Sequence, residues 1–123
     1  MQKRSFIPFF ISVMGVFFLY SCTYDTLVPE KINPSQKVAF ATDIQPIFTQ
    51  KCITCHTGNP APDLRAGKSY SSLITGKYIN TATPNQSILY TEIAPNGGMF
   101  QYSNNISDSQ LVLLWIQQGA NDK

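Results

Sequence analysis

The sequence predicts an all-α domain of three to five short helices, and three observations carry that expectation. Near the C-terminus, "SDSQLVLLWIQQGAN" sets Leu111, Leu114 and Trp115 on one helical face, with Val112 and Ile116 beside it. Upstream, Ile44, Ile47 and Phe48 in "ATDIQPIFTQK" repeat at i, i+3, i+4. This upstream segment lacks the period-two alternation of a half-buried strand, and no strand–helix–strand pattern follows it.

Residues 1–21 have the layout of a secretory signal. Lys3 and Arg4 give a basic start, Phe6 to Tyr20 form an apolar run, and small Ser21 ends it. A membrane-spanning helix needs roughly 20 apolar residues, more than this run supplies. The ending "LYSC" (Leu19, Tyr20, Ser21, Cys22) resembles the lipobox of bacterial lipoproteins. In that family the cysteine thiol receives a diacylglyceryl group and the peptide is cut before it, so the resemblance implies lipidation at Cys22. Each buried lipid methylene contributes about 0.8 kcal/mol, and two or more chains give stable anchoring. The expected location is therefore the bacterial cell envelope, with the chain exported and lipid-anchored to a membrane on its periplasmic or outer-membrane side.

Residues 22–38 read as the lipidated N-terminus and a tether: two prolines, scattered charge and no helical or alternating period. Once Lys3 and Arg4 leave with the signal, seven basic residues balance seven acidic ones. That balance offers no basic surface for nucleic acid. The compact part is expected over residues 39–123. A core this small usually gains a staple such as a disulfide, metal or cofactor.

Within it, Asp43 is the expected N-cap of the first helix, and Pro46 falls where its missing N–H would be unpaired anyway. "SYSSLITG" predicts a second short helix ending at Gly76. "TPNQSILYTEI" predicts a third, with Asn85 as cap. For the last helix, Ser107 and Gln110 have capping-box spacing and Gly119 is the expected stop. Trp115 is expected in the core.

The first helix runs into "KCITCHTG", which holds the chain's only histidine and two of its three cysteines. A structural zinc site normally takes four Cys/His ligands, and after lipidation of Cys22 only Cys52, Cys55 and His56 remain. An iron–sulfur cluster needs about four cysteines, and blue copper wants a second histidine. A thioredoxin-like dithiol sits at a helix N-terminus after a strand, whereas here a helix precedes Cys52. C-x-x-C-H is the attachment signature of covalent haem. Cys52 and Cys55 would form the two thioethers, and His56 would be the proximal ligand. Export agrees with this, because c-type haem is attached outside the cytoplasm.

A sixth ligand such as Met raises the potential of such a haem. Met1 and Met14 leave with the signal, so Met99 is the mature chain's single thioether. It follows a loop of turn formers, Pro95 to Gly98. Met99 is the expected axial ligand, with a core gap-filler as the plain alternative. Lys or Tyr in its place, or an open iron, also stays open. A carbonyl from the Pro60–Pro62 loop is expected to accept the second N–H of His56 and fix its ring. Leu64 is a candidate to pack on the haem face. Tyr70 and Tyr90 are either propionate donors or ordinary core aromatics with a polar tip.

The order of these features resembles class I monohaem cytochromes c. It is most similar to the short planctomycete-type domains, whose final segment often reads W-I-x-x-G-A, as Trp115 to Ala120 do here. The resemblance covers about residues 40 to 120. It implies a cytochrome c-like fold of short helices around one covalent haem c, with Cys52 and Cys55 as thioether sites and His56 and Met99 as iron ligands. The family usually has Pro after the Met, whereas Phe100 follows Met99. The implied function is single-electron transfer with redox partner proteins of the cell envelope. The chain shows no nucleophile–base pair or carboxylate dyad, so hydrolytic catalysis is not expected; the expectation is an electron-transfer protein or accessory subunit and not an enzyme, with a catalytic role of the haem left open. The alternatives are a five-coordinate haem protein binding a small ligand or peroxide, and an envelope thiol–disulfide oxidoreductase.

Overall fold

The structure is a computed structural model that describes residues 32–123. The signal segment, Cys22 and the first part of the tether lie outside the described residues. Among the described residues the fold is helical, with no strand. A π-helical turn at Phe40–Ile44 leads directly into α1, Gln45–Lys51. Helix α2 is Ser69–Thr75. A 3-10 turn at Pro84–Gln86 precedes α3, Ile88–Ile93. Then come α4, Phe100–Ser103, and the longest element, α5, Ile106–Gln117.

Helices of one or two turns are not stable in isolation, so packing must hold them. The packing centre is α5, where Val112, Leu114, Trp115 and Ile116 are buried. The turn Phe40–Ile44, the 3-10 turn and α3 all pack against α5. Phe40 stands between elements: its ring lies 5.1 Å from Trp115, 5.3 Å from Tyr70 and 6.2 Å from Phe48. The tilted and edge-on angles of these pairs suit the quadrupoles of the rings. The two polar tips in this cluster are satisfied by the chain just after α5. Trp115 Nε1 donates to Asn121 O at 2.9 Å, and Tyr70 OH donates to Ala120 O at 3.1 Å. Trp115 is therefore core, and Tyr70 is partly buried against it, its hydroxyl satisfied by a protein acceptor.

The helix ends differ in detail from the sequence expectation. Helical structure starts at Phe40, not after Asp43. Asp43 lies inside the first turn and its carboxylate accepts the Ala39 N–H at 2.7 Å, capping from within. Asn85 falls in the 3-10 turn, and Ser87 precedes α3. In α5 the cap is Asn105, whose side chain accepts from Ser107 N at 2.9 Å, so the start lies before Ser107. Gly119 stops α5 as expected. With φ of +98°, it lets its own N–H reach Ile116 O and the Ala120 N–H reach Trp115 O, both at 3.0 Å. These two bonds form a Schellman stop that closes the carbonyls left open by the helix end.

The packed part also begins earlier than residue 39. Val38 is buried and Ile32 packs against the core. Gln118 fixes this entry strip: its side chain accepts from Val38 N at 3.0 Å and donates to Gln36 O at 2.7 Å. The amide thus satisfies two backbone groups of a segment that has no regular structure of its own.

Phe40→Ala is expected to destabilise the domain by about 3–5 kcal/mol, because it removes the ring shared by three aromatic neighbours. Denaturant unfolding of the variant measures this, and a loss below about 1 kcal/mol would contradict the role given to Phe40.

Candidate functional site

Cys52 is the C-cap of α1. Its N–H and that of Ile53 both donate to Phe48 O, at 2.9 and 3.1 Å. Its carbonyl in turn accepts from Cys55 N at 3.2 Å and His56 N at 2.9 Å. The motif is therefore one tight turn continuing α1. Backbone bonds at offsets of three and four thus bring Cys52, Cys55 and His56 onto the same turn. Cys52 is half-buried against the core, Cys55 is exposed, and the two are free thiols. Burial pushes the Cys52 thiol up; the Lys51 ammonium pulls it down and the Asp108 carboxylate pushes it up. A thiol so placed, at a helix C-terminus, is the opposite of the activated thiol at a helix N-terminus in redox dithiols.

His56 Nδ1 lies 3.3 Å from the Pro62 carbonyl. That oxygen can only accept, so the contact selects the tautomer with hydrogen on Nδ1 and leaves the Nε2 lone pair for a metal. The loop that supplies Pro62 is tied on both sides. Leu64 N donates to His56 O at 2.9 Å, and Thr57 bridges Asp63. Asp63 N donates to Ser72 Oγ at 2.9 Å, which fastens the loop to α2. Leu64 is buried in the core, and its carbonyl accepts from Gln45 Nε2 at 3.1 Å. Gln45 Oε1 also accepts from Ser69 Oγ. One glutamine at the start of α1 thus joins the His56 loop and α2.

Met99 lies on another element, as the N-cap of α4. Its N–H donates to Glu92 O at 2.8 Å, folding the loop 94–99 back on the end of α3. Only glycine fits at Gly97: a Cβ there would stand 2.2 Å from Thr91 O and 2.3 Å from Glu92 O. The Met99 side chain is not in the core; the residue is 38% exposed. Exposed large apolar residues gather nearby in sequence, with Tyr102 at 65% and Ile106 at 39%. The stretch 99–106 is the densest run of such residues among those described.

No hydrogen bond joins Met99 directly to the Cys52–His56 turn among the described residues. Lys51 makes the connection instead. Its Nζ donates to Ser103 O, the end of α4, at 3.2 Å and pairs with the Asp108 carboxylate in the first turn of α5. Lys51 was not singled out by the sequence pattern, since its partners lie 52 and 57 positions away. The local signal was only its place beside Cys52. Cys22 lies outside the described residues. Tyr90 packs against the core, as an ordinary partly buried aromatic does.

The donor set fits a covalent haem. It offers two thiols on one turn, one of them exposed, an imidazole whose tautomer frees Nε2, and an exposed thioether on a separate loop. Among the described residues, no group of three or more His, Cys, Asp or Glu side chains converges.

The Asp63 carboxylate receives both Arg65 Nε, at 3.0 Å, and Arg65 Nη2, at 2.6 Å. These hydrogen bonds hold its pKa down at about 2. A depressed carboxylate stabilises the fold fully above its ordinary range and loses that contribution as pH falls through about 2. A carboxyl-carbon titration is expected to put the Asp63 midpoint near that value, with Arg65→Gln moving it up toward the ordinary range near 3.9. A native midpoint already in the ordinary range would contradict the paired geometry.

Comparison with protein families, with curated proteins and with solved structures finds no match for this chain, so the functional reading rests on its own residues.

Proposed function

We propose that this chain is a c-type cytochrome, an envelope protein that carries single electrons. The observation that supports it most is the turn Cys52–His56, in which two free thiols and a histidine with its Nδ1 facing a carbonyl are spaced for thioether attachment and axial ligation. Cys52 and Cys55 would hold the haem through sulfur, His56 would bind the iron through Nε2, and Met99 would be the second axial ligand. When bound, the haem supplies a one-electron couple. The chain's own residues bind it, orient it and set its surroundings. Pro62 fixes the imidazole and raises its basicity. The apolar side chains of Met99, Tyr102 and Ile106 offer surface that a flat apolar group would cover.

On this reading the fold is cytochrome c-like, and residues 1–21 are a lipoprotein signal. Lipidation at Cys22 would hold the module beside envelope redox partners and raise its effective concentration there. The raised Cys52 thiol at a helix C-terminus weighs against the thiol–disulfide alternative.

The visible spectrum of the matured protein tests the ligand set. The reduced protein is expected to show sharp low-spin bands, and the oxidised protein an iron–thioether charge-transfer band that Met99→Ala abolishes. An unchanged spectrum in the variant would remove Met99 as ligand. Rapid, complete binding of carbon monoxide to the reduced native protein would point to an open iron instead.

A further inference from the structure

Lys51 stands where three elements meet. It is the last residue of α1 and immediately precedes Cys52. Its ammonium donates to Ser103 O at 3.2 Å and pairs with the Asp108 carboxylate. A cation suits the Ser103 position, because the last carbonyls of a helix carry its negative end. Asp108 is itself held in place: its Oδ1 accepts from Asn105 Nδ2 at 3.2 Å, and Asn105 caps α5. The side chains of Lys51 and Asp108 are only 26% and 17% exposed, so water screens the pair less than it would a fully exposed one.

The link has a direct geometric consequence. Ser103 ends the single turn of α4 that begins at its N-cap Met99, and the Ser103 N–H donates to Met99 O at 3.3 Å. Between Cys52 and Met99 there is thus one peptide step, one lysine side chain and one helical turn. No direct hydrogen bond joins the two segments among the described residues, and the Lys51 ammonium supplies the hydrogen-bonded path between them. On the other flank, Gly97 and the Met99–Glu92 bond fix the Met loop to α3. The far end of α4 is held by Lys51 and by its junction with α5.

We infer that Lys51 is a positioning residue for the sixth ligand: it holds α4 against the haem-attachment turn so that the Met99 thioether meets the iron. This rests on the haem reading above. A lysine serving only as a structural ion pair would alter stability and leave the iron's ligation untouched, so ligation is the property to read.

The experiment compares full-length, haem-matured native protein with Lys51→Leu and Lys51→Arg. Three quantities are measured: haem content by pyridine haemochrome, the iron–thioether charge-transfer band and the midpoint potential. Lys51→Leu keeps an apolar stem, removes the charge and donors, and adds no second thioether. It is expected to retain covalent haem while losing at least half of the charge-transfer intensity, with a lowered potential and newly gained carbon monoxide binding. Lys51→Arg, which can still donate to Ser103 O and Asp108, is expected to keep most of the band. A Lys51→Leu protein with full haem, a native band and a native potential would overturn the inference while leaving the haem reading standing. Native protein without covalent haem would overturn the haem reading, and this inference with it. Should Lys51→Leu yield no folded protein, Asp108→Asn replaces it and is judged by the same band and potential.

Discussion

Phe40 lies against Phe48, Tyr70 and Trp115 at once, and the domain is organised around that contact. Every helix but α5 spans at most two turns, so none supplies much stability alone. The aromatic cluster instead joins the first turn, α1, α2 and α5. Its polar tips fall on Ala120 O and Asn121 O, which are presented there by the Schellman stop at Gly119. The end of the last helix is therefore part of the core, not a loose tail.

From this centre α1 projects the attachment turn outward. Phe48 anchors it twice, through its buried ring and through a carbonyl that accepts from both Cys52 and Ile53. The His56 loop is closed by Leu64, fastened to α2 through Ser72 and tied to α1 through Gln45. The imidazole's surroundings are thus set by hydrogen bonds that need no bound group. In the proposed cytochrome, this preorganisation would keep the proximal side fixed while the iron changes charge. The distal side depends on fewer contacts: Gly97 at one end of the Met loop and Lys51 at the other.

What the sequence made legible was whatever is local. Cys52, Cys55 and His56 share one turn, so their spacing alone described their arrangement. The apolar stripe of α5 and its stop at Gly119 were legible for the same reason. The start of α5 was displaced because Asn105 and Ser107 are both good capping residues and only packing selects between them. The first helical turn was placed too late for a related reason. Asp43 resembles a cap, yet Phe40 continues the apolar series back from Ile44 and Phe48 and is buried. The Pro60–Pro62 loop pointed to a backbone carbonyl as the partner of His56 without choosing which, and the chain's path chose Pro62. Lys51 illustrates what was not legible: its partners are remote in sequence, and a lone lysine at a helix end gives no sign of them. Nor does composition reveal that Gln118 draws Gln36 and Val38 into the fold.

The central claim is that sulfur at Cys52 and Cys55 bonds a haem. Its most direct test is the mass of the mature chain after expression with haem-maturation machinery, followed by peptide mapping. The account predicts one tetrapyrrole per chain, carried on the peptide containing Cys52 to His56 and lost in the double variant Cys52→Ala, Cys55→Ala. An unmodified peptide with both thiols free to react would contradict it.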